Sequence, residues 1–406
     1  MIKNPATKNA ALLQKIRAVR YASSLGAQED GGTLLIWLCH EKKREPVALA
    51  LLATGHARPE FVTYNGGSAL FFACVNEMPR LAMAILDKTG GAEANHVYDP
   101  DGQTALLWSC QHGMKEVALR LLATRSHGLP EAINRDGDTA LLWACSQKKM
   151  TEVAIAMIPL LVASGHADVV GHANAQGETA LLWACDIKKE ELALRLLGTR
   201  HANPAQINRL GDTALITAAF NDMHLVVIHM LQDSAAPTYV NYVDTGGYSA
   251  LYYMLFQYLN KKQTHESVTF IGMAVMDYLR HGWILDPAHE PVLQELCALG
   301  RDHPKVRALL EEVDRWGGDP TSLENLCLPA VSAKASRPAR RMLTAQRQQT
   351  LRTRDLARSM VLANRRRQTQ RVRATHIPVV QGDLSPQETY VSFHHSRGER
   401  MRKPSL

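Results

Sequence analysis

Short apolar blocks recur along this chain, each entered and left through a polar turn. The block from Asp136 to Cys145 reads DGDTALLWAC, and near-copies stand at 30–39, 65–74, 101–110 and 176–185, with weaker ones at 210–219 and 246–255. One glycine slot marks them all: Gly31, Gly66, Gly102, Gly137, Gly177, Gly211 and Gly247, in steps of 35, 36, 35, 40, 34 and 36 residues. A fixed period in this range predicts a stack of like units, each burying its apolar face only against its neighbours. Inside a unit, the Asp-Gly or Gly-Gly pair predicts a tight hairpin turn. The Thr or Ser after it predicts a helix N-cap, and the apolar block itself a short first helix. A polar turn and a second helix follow. EVALRLLAT (116–124) and ELALRLLGT (191–199) carry its 3.6-residue spacing.

The flanks read differently. Residues 1–30 predict a capping helix, with Leu12, Leu13, Ile16 and Val19 on one side, because the terminal unit of a stack has one uncovered face. The 40-residue step predicts an enlarged loop in 159–176, after the fourth unit's second helix. The seventh unit is enlarged as well. Residues 261–331 read as degenerate helical and capping repeats. From 332 to 406 the composition shifts to Ser, Ala, Gln, Thr and Arg, which predicts a disordered tail.

Turn, Gly-x-Thr-Ala-Leu, short helix, polar turn and a Glu-Val-x-x-x-Leu-Leu helix together are similar to the ankyrin repeat. Gln111-His112-Gly113 followed by Glu116-Val117 and Leu121-Leu122 is the nearest single unit. The likeness is strong over 31–260, with seven clear units, and weak over 261–331. It implies an all-α fold: an ankyrin-type helical repeat solenoid with short hairpin turns, here followed by the basic tail. It also implies a scaffold or adaptor that binds a partner protein along a concave face and the hairpin tips. One departure stands out. Where the family has a histidine, this chain has Ile36, Phe71, Leu107, Leu142, Leu182, Ile216 and Tyr252, so apolar packing must replace that residue's hydrogen bonds.

Charge adds a division. The net of +7 hides a tail, 332–406, with 17 Lys/Arg against 4 Asp/Glu, a net of +13. The remaining residues hold 29 against 35, a net of −6. No apolar run reaches the roughly 18 residues a transmembrane helix needs, and the N-terminus lacks an apolar signal core. Seven cysteines, an odd number, argue against a secreted disulfide framework. An intracellular protein, cytoplasmic or nuclear, is therefore expected. The seven cysteines share one slot, six residues after the repeat's Thr. They read as small buried hydrophobes rather than a metal or redox set. His56, His166 and His201 each follow a second helix, one repeat or more apart, too far to share a metal. No P-loop, His-Glu-x-x-His or nucleophile-elbow motif is present, so no catalytic residue and no cofactor is expected.

Five sets of residues are candidate contacts. Trp37, Phe72, Trp108, Trp143, Trp183 and Tyr253 share one slot on the first helix. They can either stack inside the array or form an aromatic binding surface. The residue between Gly and Thr is Asp138, Glu178 and Asp212 in units four to six, which predicts an acidic row at the hairpin tips suited to a basic peptide, the chain's own tail included; Gln103, in the same slot of unit three, is a candidate contact beside them. Lys42-Lys43, Lys148-Lys149 and Lys188-Lys189 form a basic edge at the turns between helices. In the tail, Arg365, Arg366, Arg367, Arg371 and Arg373 suit an acidic partner, nucleic acid or a nuclear import signal. Leu323, Cys327 and Val331 are spaced as in the elongin-binding box of ankyrin-type ubiquitin-ligase adaptors, although Pro329 interrupts the helix such a box needs.

Overall fold

The structure is a computed structural model that describes residues 33–98, 101–124, 128–233, 236–260, 269–274 and 304–315. The chain divides into two units, Met1–Val361 and Leu362–Leu406, and every described residue belongs to the first. The predicted capping helix at 1–30, the box at 322–331 and the whole basic tail lie outside the described residues.

Seven first helices carry the repeated apolar block: α1 (Leu34–Cys39), α3 (Ala69–Val75), α5 (Ala105–Gln111), α7 (Ala140–Cys145), α9 (Ala180–Asp186), α11 (Ala214–Phe220) and α13 (Ala250–Asn260). Among the described residues these second helices alternate with them: α2 (Glu45–Ala53), α4 (Pro79–Thr89), α6 (Lys115–Leu122), α8 (Thr151–Ala163), α10 (Glu190–Gly198) and α12 (His224–Leu231). A further helix, α14, spans Pro304–Arg315. First helices pack on first helices from α1 through α13, and second helices on second helices from α2 through α12. Each pair also packs internally, so the interior is one continuous double row.

Each first helix starts where its hydroxyl residue caps it. Thr139 Oγ1 accepts from the Leu142 amide at 3.1 Å and Ser68 Oγ from the Phe71 amide at 3.0 Å. The same bond recurs at Thr33, Thr104, Thr179, Thr213 and Ser249. The residue whose amide is capped is the one standing in the family's histidine slot. All seven such residues are buried, at 0–6% exposure, so burial holds this position where a polar side chain would otherwise bond.

The glycine slot is needed for stacking. Gly177 has φ +75, and a Cβ there would lie 2.6 Å from the carbonyl oxygen of Ile207 in the next repeat. Any side chain would push adjacent hairpins apart. The excess residues of the fourth unit are only partly loop. The second helix α8 runs on through Pro159 to Ala163, and a 3-10 helix at Ala167–Gly171 follows. The enlarged loop predicted for 159–176 is thus corrected to a helix extension plus a short 3-10 turn, because LLVA continues the apolar run past the proline.

Candidate functional site

The hairpin end of the stack is organised by a residue that the sequence reading did not single out. Four positions before Asp138, Glu178 and Asp212 stand Asn134, Asn174 and Asn208. Asn174 Oδ1 accepts from the amides of Gln176 (3.0 Å) and Glu178 (2.9 Å), which closes the hairpin tip. Asn134 and Asn208 do the same for their own tips. Asn174 Nδ2 then donates to Asp138 Oδ1 of the preceding repeat at 2.9 Å, and Asn208 Nδ2 to Glu178 Oε1 at 3.4 Å. Backbone bonds run parallel to this ladder, from Ala175 N to Asp136 O (2.9 Å) and Arg209 N to Gln176 O (3.1 Å). The legible signal was the recurrence of Asn at a fixed distance before Gly-Asp-Thr or Gly-Glu-Thr.

This geometry revises the acidic row. Asp138 and Asp212 are 4% and 6% exposed, and Glu178 is half-buried. Gln103, in the same slot, is 6% exposed, and its Oε1 has no hydrogen-bond donor among the described residues. These side chains lie within the tip ladder rather than forming an open acidic stripe, because the next repeat's asparagine draws the carboxylates of Asp138 and Glu178 inward.

The aromatic slot is revised in the same direction. Phe72, Trp108, Trp143, Trp183 and Tyr253 are 0–8% exposed. They pack among the first helices and present no open aromatic surface. Phe72 stacks on His40 of the previous repeat with centroids 4.4 Å apart, and Tyr253 meets Phe220 edge-on at 5.2 Å. Tyr253 also donates to Asp244 Oδ2 at 2.5 Å, which ties the aromatic slot to the hairpin ladder. Trp37 alone in the slot is half-buried, and the Arg44 guanidinium lies over its ring at 3.8 Å.

The cysteines pack as small hydrophobes. Cys39, Cys74, Cys110, Cys145 and Cys185 are free and buried, and burial raises each thiol's pKa, that of Cys110 to about 12. They are thiols at neutral pH, so none is poised as a nucleophile or metal ligand. Cys297 and Cys327 lie outside the described residues. His56, His166 and His201 are exposed, each in the loop leaving a second helix. Among the described residues no three His, Cys, Asp or Glu side chains gather as a metal site, and no helix is long and apolar enough to cross a membrane.

What stays in solvent is distributed repeat by repeat. At the turns between helices, Lys42, Lys43, Lys148, Lys149 and Lys188 are exposed and Lys189 is half-buried. At the hairpins, Tyr64 is 87% exposed, and Val97, Ile133, Ile207 and Val243 lie between 37% and 42%. Arg135 and Arg209 stand exposed beside two of these.

A family model described as ankyrin repeats, in three copies, matches residues 70–160. Over those residues the chain is similar to ankyrin repeats. Among solved structures it is similar to one titled "Crystal structure of the ankyrin repeat domain of Bcl-3: a unique member of the IkappaB protein family". The identity is 20%, over 55% of this chain and 94% of that one, with a TM-score of 0.34. No curated protein matches the chain. Ankyrin repeats generally mediate protein–protein interactions.

Proposed function

We propose that this ankyrin-repeat chain is a non-catalytic scaffold or adaptor that holds a partner protein along its hairpin tips and inter-helix turns. One observation carries the reading. The interior of every repeat is nearly constant, while the exposed residues in one tip slot differ from repeat to repeat: Tyr64, Arg135, Ala175, Arg209 and Thr245. A constant frame with a varied rim supports recognition of one extended partner at many small contacts. Trp37 is the member of the aromatic slot best placed to join such a surface. Affinity capture tests the reading. A partner held by a chain ending at residue 331, and lost from Arg135→Glu/Arg209→Glu, supports it. A partner indifferent to that pair but lost with residues 332–406 refutes it.

A second reading rests on the tail's net charge of +13. Arg365, Arg366, Arg367, Arg371 and Arg373 would add attraction to nucleic acid or an acidic partner. Binding of a DNA duplex that weakens steeply with salt and vanishes without 332–406 would favour it.

A further inference from the structure

We infer that Glu93 keeps its carboxyl proton inside the folded chain, and that losing this proton as pH rises loosens the joint between repeats two and three. This goes beyond the scaffold reading and does not depend on it.

Glu93 stands in the segment that links α4 to the hairpin of repeat three, and it is only 2% exposed. Its surroundings are one proton short. The Thr89 hydroxyl oxygen, at the end of α4, lies 2.9 Å from the Ile85 carbonyl oxygen and 2.9 Å from Glu93 Oε1. It also accepts from the Gly91 amide at 3.2 Å. A hydroxyl has a single hydrogen to give. With Glu93 ionised, two acceptors compete for that hydrogen, and one of the two contacts sets oxygen against oxygen. A proton on Oε1 resolves this: Glu93 donates to Thr89, and Thr89 donates to Ile85. The other carboxyl oxygen agrees. Oε2 is buried, and no donor reaches it among the described residues. A neutral carbonyl oxygen bears such isolation at far less cost than a charged one.

The nearby cations are engaged elsewhere. Lys88 Nζ donates to the Leu52 carbonyl at 2.8 Å, and Arg120 on α6 faces Asp87 at 3.3 Å. His56 and Arg58, on the loop after α2, and His96, in the linking segment itself, are exposed. Glu60, on that same loop, is the charge that bears on Glu93, and it repels a second negative one. Burial acts more strongly still. Together they push the Glu93 pKa up, against the partial pull of its own backbone amide and the Thr89 hydroxyl. A group whose folded-state pKa is raised stabilises the fold when protonated. That contribution is complete below the unfolded value of about 4.3 and is lost as pH rises through the folded one.

The position makes the loss local. Gly91, at φ +86, lies so close to the residues after α6 that a Cβ there would stand 2.3 Å from Thr124 Cγ2. Five residues beyond Glu93 comes Tyr98, whose ring packs against Phe71 and Phe72 of repeat two. The segment 90–98 therefore ties both ends of repeat three to repeat two. An ionised Glu93 draws water into this joint, and the rim is interrupted between Tyr64 and Arg135.

Hydrogen exchange of the full chain from pH 5 to pH 8, corrected for the intrinsic exchange rate, tests the proposal. Protection of residues 90–104 is expected to fall by about tenfold or more over this range, since each pH unit inside the titration window is worth a factor of about ten. Protection of α9 and α10 should fall much less. Glu93→Gln keeps the shape without the titration, and Glu93→Met has nothing to ionise. Each should flatten the pH dependence over 90–104, whatever its absolute stability. Glu116→Gln, at an exposed carboxylate on α6, should keep the profile of the unchanged chain. Protection of 90–104 that does not vary with pH, a fall shared equally by α9 and α10, a fall that persists in both Glu93 variants, or equal flattening by Glu116→Gln overturns the proposal.

Discussion

Repeats two and three hold their hairpins by a different chemistry from repeats four to six. In the later repeats Asn134, Asn174 and Asn208 close each tip, and two of them also bond the repeat before. In repeat three the equivalent position is Tyr98, 1% exposed, which stacks on Phe71 at 4.7 Å and meets Phe72 edge-on at 6.0 Å. Backbone bonds between Tyr98 and Gln103 close its tip. Repeat two uses Thr63, whose Oγ1 accepts from Gly67 N at 2.9 Å. One backbone frame therefore accepts either a directional polar ladder or an aromatic cluster at the same place. The ladder couples neighbours through specific bonds, so its loss is felt in two repeats at once. The cluster couples them through buried area, so its loss leaves a cavity.

The largest effect that separates the two is at Tyr98. Tyr98→Ala removes a fully buried ring and should cost about 4 kcal/mol, read from the urea midpoint of the full chain. Tyr98→Phe keeps the stacking area and should recover most of that. A loss confined to the hydroxyl would mean that repeat three is held by hydrogen bonding after all, and the contrast would fail.

Second in size is Asn174→Ala. It leaves the Gln176 and Glu178 amides without their acceptor and removes the donor to the buried Asp138 carboxylate, at a cost of about 2–3 kcal/mol. A double-mutant cycle with Asp138→Ala should show coupling of about 1 kcal/mol across the repeat boundary. Additive effects would show that the 2.9 Å contact carries no coupling and that each repeat closes on its own.

The sequence carried the repeat and its helices because burial in a stack is read locally. Thr139 precedes an apolar run, Gly137 precedes Thr139, and each repeats at a fixed step. It did not carry the sign of exposure at Asp138 or Trp143. A charged or aromatic residue at a repeat's edge looks the same in the chain whether the next repeat covers it or not. The cover comes from residues roughly 36 positions away, such as Asn174 against Asp138, and only the stacked geometry brings them together. The helix extension through Pro159 was missed for a similar reason. A proline reads as a stop, yet its position late in α8, with Leu161 buried beyond it, lets the apolar face continue.

The smallest effect concerns the turns between the helices, where the same frame again admits two solutions. Glu77, Gly113, Lys188 and Asp222 occupy one slot with φ between 55 and 66. Repeats one and four instead form 3-10 turns at Lys42–Arg44 and Lys148–Met150. Only Gly113 suits the left-handed backbone without steric cost. At Lys188 the Cβ costs about 1–2 kcal/mol there, and a glycine would give back about 0.5–1 kcal/mol through the freedom it adds to the unfolded chain. Lys188→Gly should therefore stabilise the protein by about 0.5–1 kcal/mol. The same change at Lys148, in a 3-10 turn, should destabilise it by a similar amount. Opposite signs at two lysines of the same predicted edge would show that the turn geometry decides their cost and the charge row does not. Equal signs would mean that the two turn types are interchangeable in energy.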